Sequence, residues 1–298
     1  MSGTGAAGAA GVGETEFAGF TEQVVDGIFV RTAGDGPPVL LLHGYPQTHE
    51  MWADVAPGLA AAGRSVVCAD LRGYGRSHKP PAGEGNVSYA KRTMAAELVA
   101  VMATLGHERF AVVGHDRGGR VSYRMALDHP EVITRLATLD IVPTLDTWEA
   151  ARGTAAVGMF HWSFLAQPHP LPETLIAADP GYFLRTLCGK WAAGSMARLE
   201  RYVAAFTPDV VRATCDDYRA GATIDVELDR ADRDGGRRIA CPVLALWGDP
   251  SGKRPSLVDV WQRWADDVQG RAIRCGHFLA EEAPAETLAA LDAFLDRA

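Results

Sequence analysis

Continuous apolar runs alternate along most of the chain with segments whose apolar residues recur at helical spacing. Residues 20–26 and 28–32 predict an opening hairpin. After it, apolar runs predict buried strands, and apolar residues three or four positions apart predict amphipathic helices. The later strands are predicted over residues 37–44, 65–70, 110–116, 134–142, 241–249 and 271–277, and the helices over residues 49–62, 89–105, 117–128, 256–267 and 284–297. This alternation indicates parallel strand pairing with right-handed crossovers.

The alternation stops after the sixth strand. Residues 143–238 contain many aromatic residues and several short helical patterns, but no convincing apolar strand. We therefore predict an α/β protein with a mostly parallel, eight-stranded sheet. Its core domain comprises residues 17–142 and 239–298, and a helical cap, residues 143–238, is inserted after strand 6. Residues 1–16 are rich in glycine and alanine and predict a disordered tail.

Composition excludes several classes of function. The chain has 298 residues, of which 47% are hydrophobic, so it can bury a large core. Its net charge of -8 offers no basic field for nucleic acid, and an anionic ligand must be captured by local charges. No apolar run approaches the length of a membrane span, and no leader resembles a signal peptide. Five cysteines lack metal-ligand spacing, so we expect no metal site and a cytoplasmic location.

The motif GHDRGGR, residues 114–120, directly follows the apolar run FAVV of residues 110–113. It matches the sharp strand-to-helix turn G-x-S-x-G of serine hydrolases, in which small residues leave room for a strained backbone. Gly114 and Gly118 supply the small residues, but Asp116 occupies the position of the nucleophilic serine. A carboxylate nucleophile can displace a leaving group from an sp3 carbon and form an ester. Carbon–halogen bonds and epoxides are the substrates that suit this chemistry.

A general base is expected after the last strand, where CGHF places His277. This histidine would activate the water that cleaves the ester at the carbonyl of Asp116. The acid that orients the histidine should follow an intermediate strand, which leaves Asp140 and Asp249 as candidates. Either aspartate could instead be an ordinary cap at the end of its strand.

Two backbone amides are predicted to stabilise negative charge on the nucleophile. The amide of Arg117 belongs to the start of a helix, where N–H groups lack intrahelical acceptors. The second amide is that of Tyr45 in the HGYP segment, residues 43–46, which follows the third predicted strand. Together they predict an oxyanion hole.

Arg117 and Arg120 are three residues apart, so both project from the same face of the helix start. A guanidinium group binds a carboxylate through two parallel hydrogen bonds. Beside a nucleophile, this pair favours a small anionic substrate whose neighbouring carbon lies over Asp116. The alternative is that the arginines are solvated or paired with acidic neighbours.

Several motifs together resemble the fluoroacetate dehalogenases, which are enzymes of the α/β-hydrolase fold. The motifs are HGYPQTHEMW, DLRGYGRS, GHDRGGR, the FHW of residues 160–162, and GHFLAEEAP. The resemblance implies that Arg117 and Arg120 bind the substrate carboxylate and that Asp140 is the orienting acid. It assigns the halide to His161, Trp162 and Tyr218, whose ring donors suit a dry pocket. His115 and Trp191 are expected to line the same pocket, and a homodimer is implied.

The expected reaction converts a haloacetate and water to glycolate and halide, with no cofactor, metal, nucleic acid or membrane involved. An epoxide hydrolase is the first alternative, because it uses the same aspartate and histidine. It generally needs paired tyrosines in the cap, and the arginine pair would then have no purpose. The second alternative is a non-catalytic ligand-binding protein, which would tolerate loss of Asp116 or His277.

Overall fold

An eight-stranded, mostly parallel sheet forms the centre of the protein. The computed structural model describes residues 16–194 and 196–296, so the predicted tail lies outside the described residues except for Glu16. The strands are β1 Thr21–Val25, β2 Ile28–Ala33, β3 Pro38–Leu42, β4 Ser65–Ala69, β5 Phe110–His115, β6 Ile133–Leu139, β7 Val243–Gly248 and β8 Val268–Ile273. Their order is β1-β2-β4-β3-β5-β6-β7-β8. β2 pairs antiparallel with β1 and β4, and the remaining pairs are parallel, which confirms the predicted sheet.

Helices flank the sheet and fill the segment between β6 and β7. They are α1 Ala56–Ala61, α2 Lys91–Thr104, α3 Asp116–Asp128, α4 Thr144–Ala150, α5 Ala155–Gly158, α6 Phe160–Leu165, α7 Leu171–Ala178, α8 Pro180–Trp191, α9 Leu199–Ala205, α10 Pro208–Ala222, α11 Ile224–Asp234, α12 Val258–Trp261, α13 Leu279–Glu282 and α14 Pro284–Leu295. In the described part of the chain, none is both long and apolar enough to cross a membrane.

The segment predicted as a cap contains α4 to α11, and its described residues form no strand. The loss of strand periodicity after the sixth strand therefore has a direct structural counterpart. The division of the chain into a core domain and a cap subdomain stays a prediction.

Three predicted elements differ from the observed ones. The helix expected over residues 49–62 is a 3-10 turn at His49–Trp52 followed by α1, because Asp70 accepts the His49 amide and α1 begins anew with a proline in its first turn. The helix expected over residues 256–267 is reduced to α12. The strand expected over residues 271–277 is β8, which begins earlier and ends at Ile273, where its pairing with β7 ends.

Apolar side chains cover both faces of the sheet, which explains the continuous apolar runs of the central strands. Along β3, Leu40 and Leu42 belong to one apolar cluster, whereas Val39 and Leu41 belong to the cluster on the other face. The first cluster includes residues of α2 and α3, and the second includes residues of α1 and α14. The carboxyl ends of the parallel strands are thereby held rigidly at one edge, where ligands of such sheets bind.

The turn between β5 and α3 is tightly packed against β3. Asp116 adopts φ = 44°, a left-handed conformation that is strained for a residue with a side chain. A Cβ atom at Gly118 would lie 2.4 Å from the carbonyl oxygen of His43 and 2.6 Å from that of Leu42. Gly118 is therefore required for the close approach of the two segments.

We expect Gly118→Ala to lower the free energy of unfolding by about 1–3 kcal/mol, because the added methyl group meets backbone atoms that have little freedom to move. Gly189→Ala in α8 is the matched control, since a Cβ atom there has no neighbour within 4 Å. Its expected effect is a change of less than about 1 kcal/mol, towards higher stability. Urea unfolding followed by circular dichroism measures both variants, and equal stability of the two would contradict the packing argument.

Candidate active site

A cavity of about 410 Å³ lies where the carboxyl ends of the central strands meet the helices of the 143–238 segment. Its lining combines acidic and basic side chains with several aromatic rings. The lining residues are Tyr45, Asp116, Arg120, Asp140, Thr147, Met159, His161, Trp162, Trp191, Tyr218, Gly248, Pro250, Arg254, Gly276 and His277. Most of the site residues predicted from the sequence therefore lie around one space.

Asp116 lies at the base of the cavity, at the start of α3. The backbone amide of Tyr45 donates to Asp116 Oδ1 at 2.8 Å, and its role as an oxyanion donor stays a prediction. The amide of Arg117 as the second donor stays a prediction. Burial raises the pKa of Asp116, but the imidazole of His277 and nearby guanidinium groups lower it, with a net shift below the ordinary value. The carboxylate is therefore ionised, as a nucleophile requires.

His277 follows β8 and bonds to Asp140, which follows β6. The distance from His277 Nδ1 to Asp140 Oδ2 is 2.6 Å. Burial lowers the pKa of His277, but the hydrogen bond and charge of Asp140 and the charge of Asp116 raise it above the ordinary value overall. This arrangement leaves Nε2 of the imidazole for proton transfer.

Asp249, the other candidate acid, is hydrogen-bonded to residues of its own loop. Its carboxylate accepts hydrogen bonds from the amides of Lys253 at 3.1 Å and Arg254 at 3.0 Å, and from the hydroxyl of Ser251 at 3.1 Å. Of the two candidates, the structure brings Asp140, and not Asp249, to His277.

Arg120 is buried and its guanidinium borders the cavity. Nη1 donates to the carbonyl of Val142 at 3.0 Å and to the hydroxyl of Thr147 at 3.3 Å, and the group lies 4.3 Å from the ring centroid of Trp162. Burial and the neighbouring charge of Arg117 lower the pKa of Arg120. Among the described residues Arg120 has no carboxylate within salt-bridge distance, so an anion entering the cavity would relieve the cost of its burial.

Arg117 is fully buried and is not among the residues that line the cavity. Its Nε and Nη2 atoms donate to the carboxylate of Asp217 on α10, at 2.8 and 2.9 Å. Nη1 has no hydrogen-bond partner in the described part of the chain, and the guanidinium lies 4.2 Å from the ring centroid of Tyr218. For this side chain the structure shows the alternative of pairing with an acidic neighbour.

The three ring donors expected to bind halide share one wall. The ring centroids of His161 and Tyr218 are 6.0 Å apart, and those of Trp162 and Tyr218 are 5.9 Å apart. No hydrogen bond to the polar atoms of these rings occurs within residues 16–194 and 196–296. Burial lowers the pKa of His161 to about 3, so the imidazole is neutral. Trp191 adds an apolar surface, with its ring 4.6 Å from that of His161.

His115 differs from its predicted place, because it does not line the cavity. Its fully buried ring lies 4.6 Å from the ring of His277, and Nε2 is 2.8 Å from the His277 carbonyl. Burial lowers the pKa of His115 to about 4. The ring therefore supports the segment that carries His277. Within the described residues, no group of three or more His, Cys, Asp or Glu side chains could hold a metal ion.

Two charged residues of importance to the site were missed by the sequence analysis. Asp217 lies 100 residues after its partner Arg117, and no local pattern relates the two. Arg254 lines the cavity and donates to Asp140. The stretch WGDPSGKRP carries Arg254, and its unusual density of turn and charged residues was the available signal.

Comparison with known proteins places this chain in a family. The sequence profile of the α/β hydrolase fold matches residues 37–284. A fluoroacetate dehalogenase from Burkholderia sp. is 42% identical over 295 residues, which cover 95% of this chain and 96% of that protein. A soluble epoxide hydrolase from Corynebacterium sp. (strain C12) is 33% identical over 262 residues, covering 85% and 88%.

Comparison with solved structures indicates the same fold. A solved structure from Nostoc sp. PCC 7120, assigned to the α/β hydrolases, is 47% identical with a TM-score of 0.90, covering 95% of this chain and 100% of that chain. The chain therefore belongs to the α/β-hydrolase family, and its resemblance to the fluoroacetate dehalogenases is confirmed.

Proposed function

We propose that this protein is a hydrolytic dehalogenase that converts haloacetates, including fluoroacetate, to glycolate and halide. The observation that carries the proposal is the meeting of Asp116, His277 and Arg120 around one small cavity. An ionised aspartate at the nucleophile position supplies displacement chemistry, and a buried cation with no carboxylate partner among the described residues supplies affinity for an anionic substrate. Water is the second substrate, and the reaction needs no cofactor.

In the first step the Asp116 carboxylate attacks the carbon that bears the halogen. Since the Tyr45 amide holds Oδ1, Oδ2 is the attacking oxygen. The new C–O bond forms as the carbon–halogen bond breaks, and the halide leaves with the electron pair. The neutral donors of His161, Trp162 and Tyr218 stabilise the developing charge, which matters most for fluoride.

In the second step His277 removes a proton from water through Nε2, because Nδ1 is bonded to Asp140. The hydroxide attacks the carbonyl carbon of the Asp116 ester, and the Tyr45 amide stabilises the oxyanion on Oδ1. Collapse of this intermediate expels glycolate, which takes the proton from His277. One proton is released when the Asp116 carboxyl ionises again.

The relatives include epoxide hydrolases, and an epoxide is an uncharged substrate on which the same aspartate and histidine could act. Two features favour the haloacid. Among the described residues that line the cavity, Tyr218 is the tyrosine contributed by the cap, whereas Tyr45 comes from the loop after β3. Arg120 also offers a buried positive charge for which a neutral epoxide has no counterpart.

We expect purified protein to release halide from fluoroacetate and chloroacetate and to form no diol from styrene oxide. Ion chromatography measures the halide, and liquid chromatography measures the diol. In His277→Asn the first step proceeds without the second, so a carboxymethyl ester should accumulate on the peptide that contains Asp116. Asp116→Asn is the control that should carry no ester. Diol formation without halide from either acid would replace this proposal with an epoxide hydrolase.

Asp140→Asn should lower kcat for chloroacetate by about 10²–10⁴-fold, because the variant no longer stabilises the correct tautomer and charge of His277. Asp249→Asn should lower kcat by less than about tenfold. Steady-state halide release measures both variants, and matching melting temperatures exclude unfolding as the cause. A larger loss in Asp249→Asn than in Asp140→Asn would reverse the assignment of the acid.

Arg120→Gln should lower kcat/KM for fluoroacetate by about 10- to 100-fold, as expected for loss of a charge-assisted hydrogen bond. The variant should change kcat/KM for the neutral analogue fluoroacetamide far less. Arg152→Gln, an exposed arginine of the cap, is the matched control and should leave both values unchanged. Equal losses on the two substrates would show that Arg120 acts through the fold and not through the substrate carboxylate.

A further inference from the structure

The loop that follows β7 passes beside the Asp140–His277 pair and brings Arg254 to it. Arg254 Nη1 donates to Asp140 Oδ1 and to the carbonyl of Gly248, the latter at 3.0 Å. The Gly248 amide donates to the same carboxylate oxygen at 3.1 Å. Oδ2, the other oxygen, is the one that accepts from His277. Both oxygens of Asp140 are therefore occupied, and a guanidinium group holds the one that His277 does not use.

Asp249 fixes the loop that carries Arg254. Its carboxylate accepts the backbone amides of Lys253 and Arg254 and the hydroxyl of Ser251. Such bonds from an aspartate to amides a few residues later close a tight turn. The Arg254 backbone is thereby held, although 39% of its side chain remains exposed.

We propose that Arg254 is a positioning residue of the Asp140–His277 pair that fixes the Asp140 carboxylate by the oxygen that His277 does not use, and that Asp249 holds Arg254 in place. The inference deepens the proposed function and rests on it for its kinetic readout. It also gives a role to Asp249, the candidate acid that does not contact His277. Asp249 acts on the Asp140–His277 pair indirectly, by holding the loop that carries Arg254.

The charges around His277 determine the direction in which its pKa should change when Arg254 is removed. The titratable groups facing it are Asp140, Asp116, His115, His161, Arg254 and, through the adjacent backbone amides, Glu282. The carboxylates of Asp140 and Asp116 raise the pKa of His277, whereas the charge of Arg254 lowers it. Removal of Arg254 should therefore raise this pKa, so that His277 loses its base form at higher pH.

Arg254→Gln should move the acid limb of the kcat profile for chloroacetate upward by roughly 0.5–1 pH unit, the size expected for one charge at a partly solvated site. Arg254→Lys should restore much of the wild-type position because it keeps the charge. Lys253→Gln is the matched control: it removes a positive charge from the neighbouring residue, whose side chain is exposed, and should not move the limb.

Asp249→Ala tests the second part of the inference. Loss of the turn should release Arg254 and shift the limb in the same direction, by no more than Arg254→Gln does. The double variant should match Arg254→Gln alone, since both changes remove the same contact. Shifts that add in the double variant would show that Asp249 acts independently of Arg254.

A titration of His277 separates this inference from the proposed reaction. Nitrogen-15 labelling of histidine, with the His277 signal assigned by its absence in His277→Asn, reports the pKa in the free protein. An unchanged titration in Arg254→Gln, or equal shifts in Arg254→Gln and Arg254→Lys, would overturn the role of the Arg254 charge. A wild-type protein that releases no halide would overturn the proposed function, while the titration would still decide the role of Arg254.

Discussion

The Asp217 carboxylate on α10 neutralises two buried cations of the α/β core, Arg117 on α3 and Lys91 on α2. The hydroxyl of Tyr74 donates to it as well, at 2.8 Å. Burial raises the pKa of Asp217, but the two cations hold it well below the ordinary value. An uncompensated buried charge destabilises a protein by about 3–5 kcal/mol. This carboxylate therefore couples α3, which starts at Asp116, to α10, which carries Tyr218.

The same face of α3 carries a second arginine that pairs with carboxylates of the 143–238 segment. Comparison with it shows how Arg120 differs from the neighbouring arginines in its partners. Arg124, seven residues after Arg117, donates to Asp229 on α11 at 2.9 Å and also contacts Asp232. Arg117 and Arg124 are therefore both neutralised by carboxylates of the 143–238 segment, whereas the hydrogen-bond acceptors of Arg120 in the described residues are a carbonyl and two hydroxyl groups. Of these three arginines of α3, Arg120 is therefore the one that lines the cavity.

Local patterns predicted the elements but not the partners that join them. All eight strands, the turn at Asp116 and the histidine after the last strand could be read from periodicity and spacing. The choice between Asp140 and Asp249 could not be read in this way, because both residues follow a strand. The choice depends on the backbone turn that each aspartate enters. Asp140 adopts φ = 54° and meets His277, whereas Asp249 closes a turn with its own amides. The pairing of Arg117 with Asp217 also depends on how the cap helices pack, which no local pattern records.

The charge balance of the cavity argues for an anionic substrate that carries its own leaving group. Asp116 and Asp140 contribute negative charge, and Arg120 and Arg254 contribute positive charge. Arg254 is already bonded to Asp140, so Arg120 remains to offset the repulsion between the nucleophile and a substrate carboxylate. A neutral epoxide would leave Arg120 desolvated without an anion. The proposed haloacetate would satisfy this cation with its carboxylate and present its halogen to the neutral ring donors. The distribution of charge therefore favours the proposed haloacid, whereas the Asp116–His277 pair alone would serve either reaction.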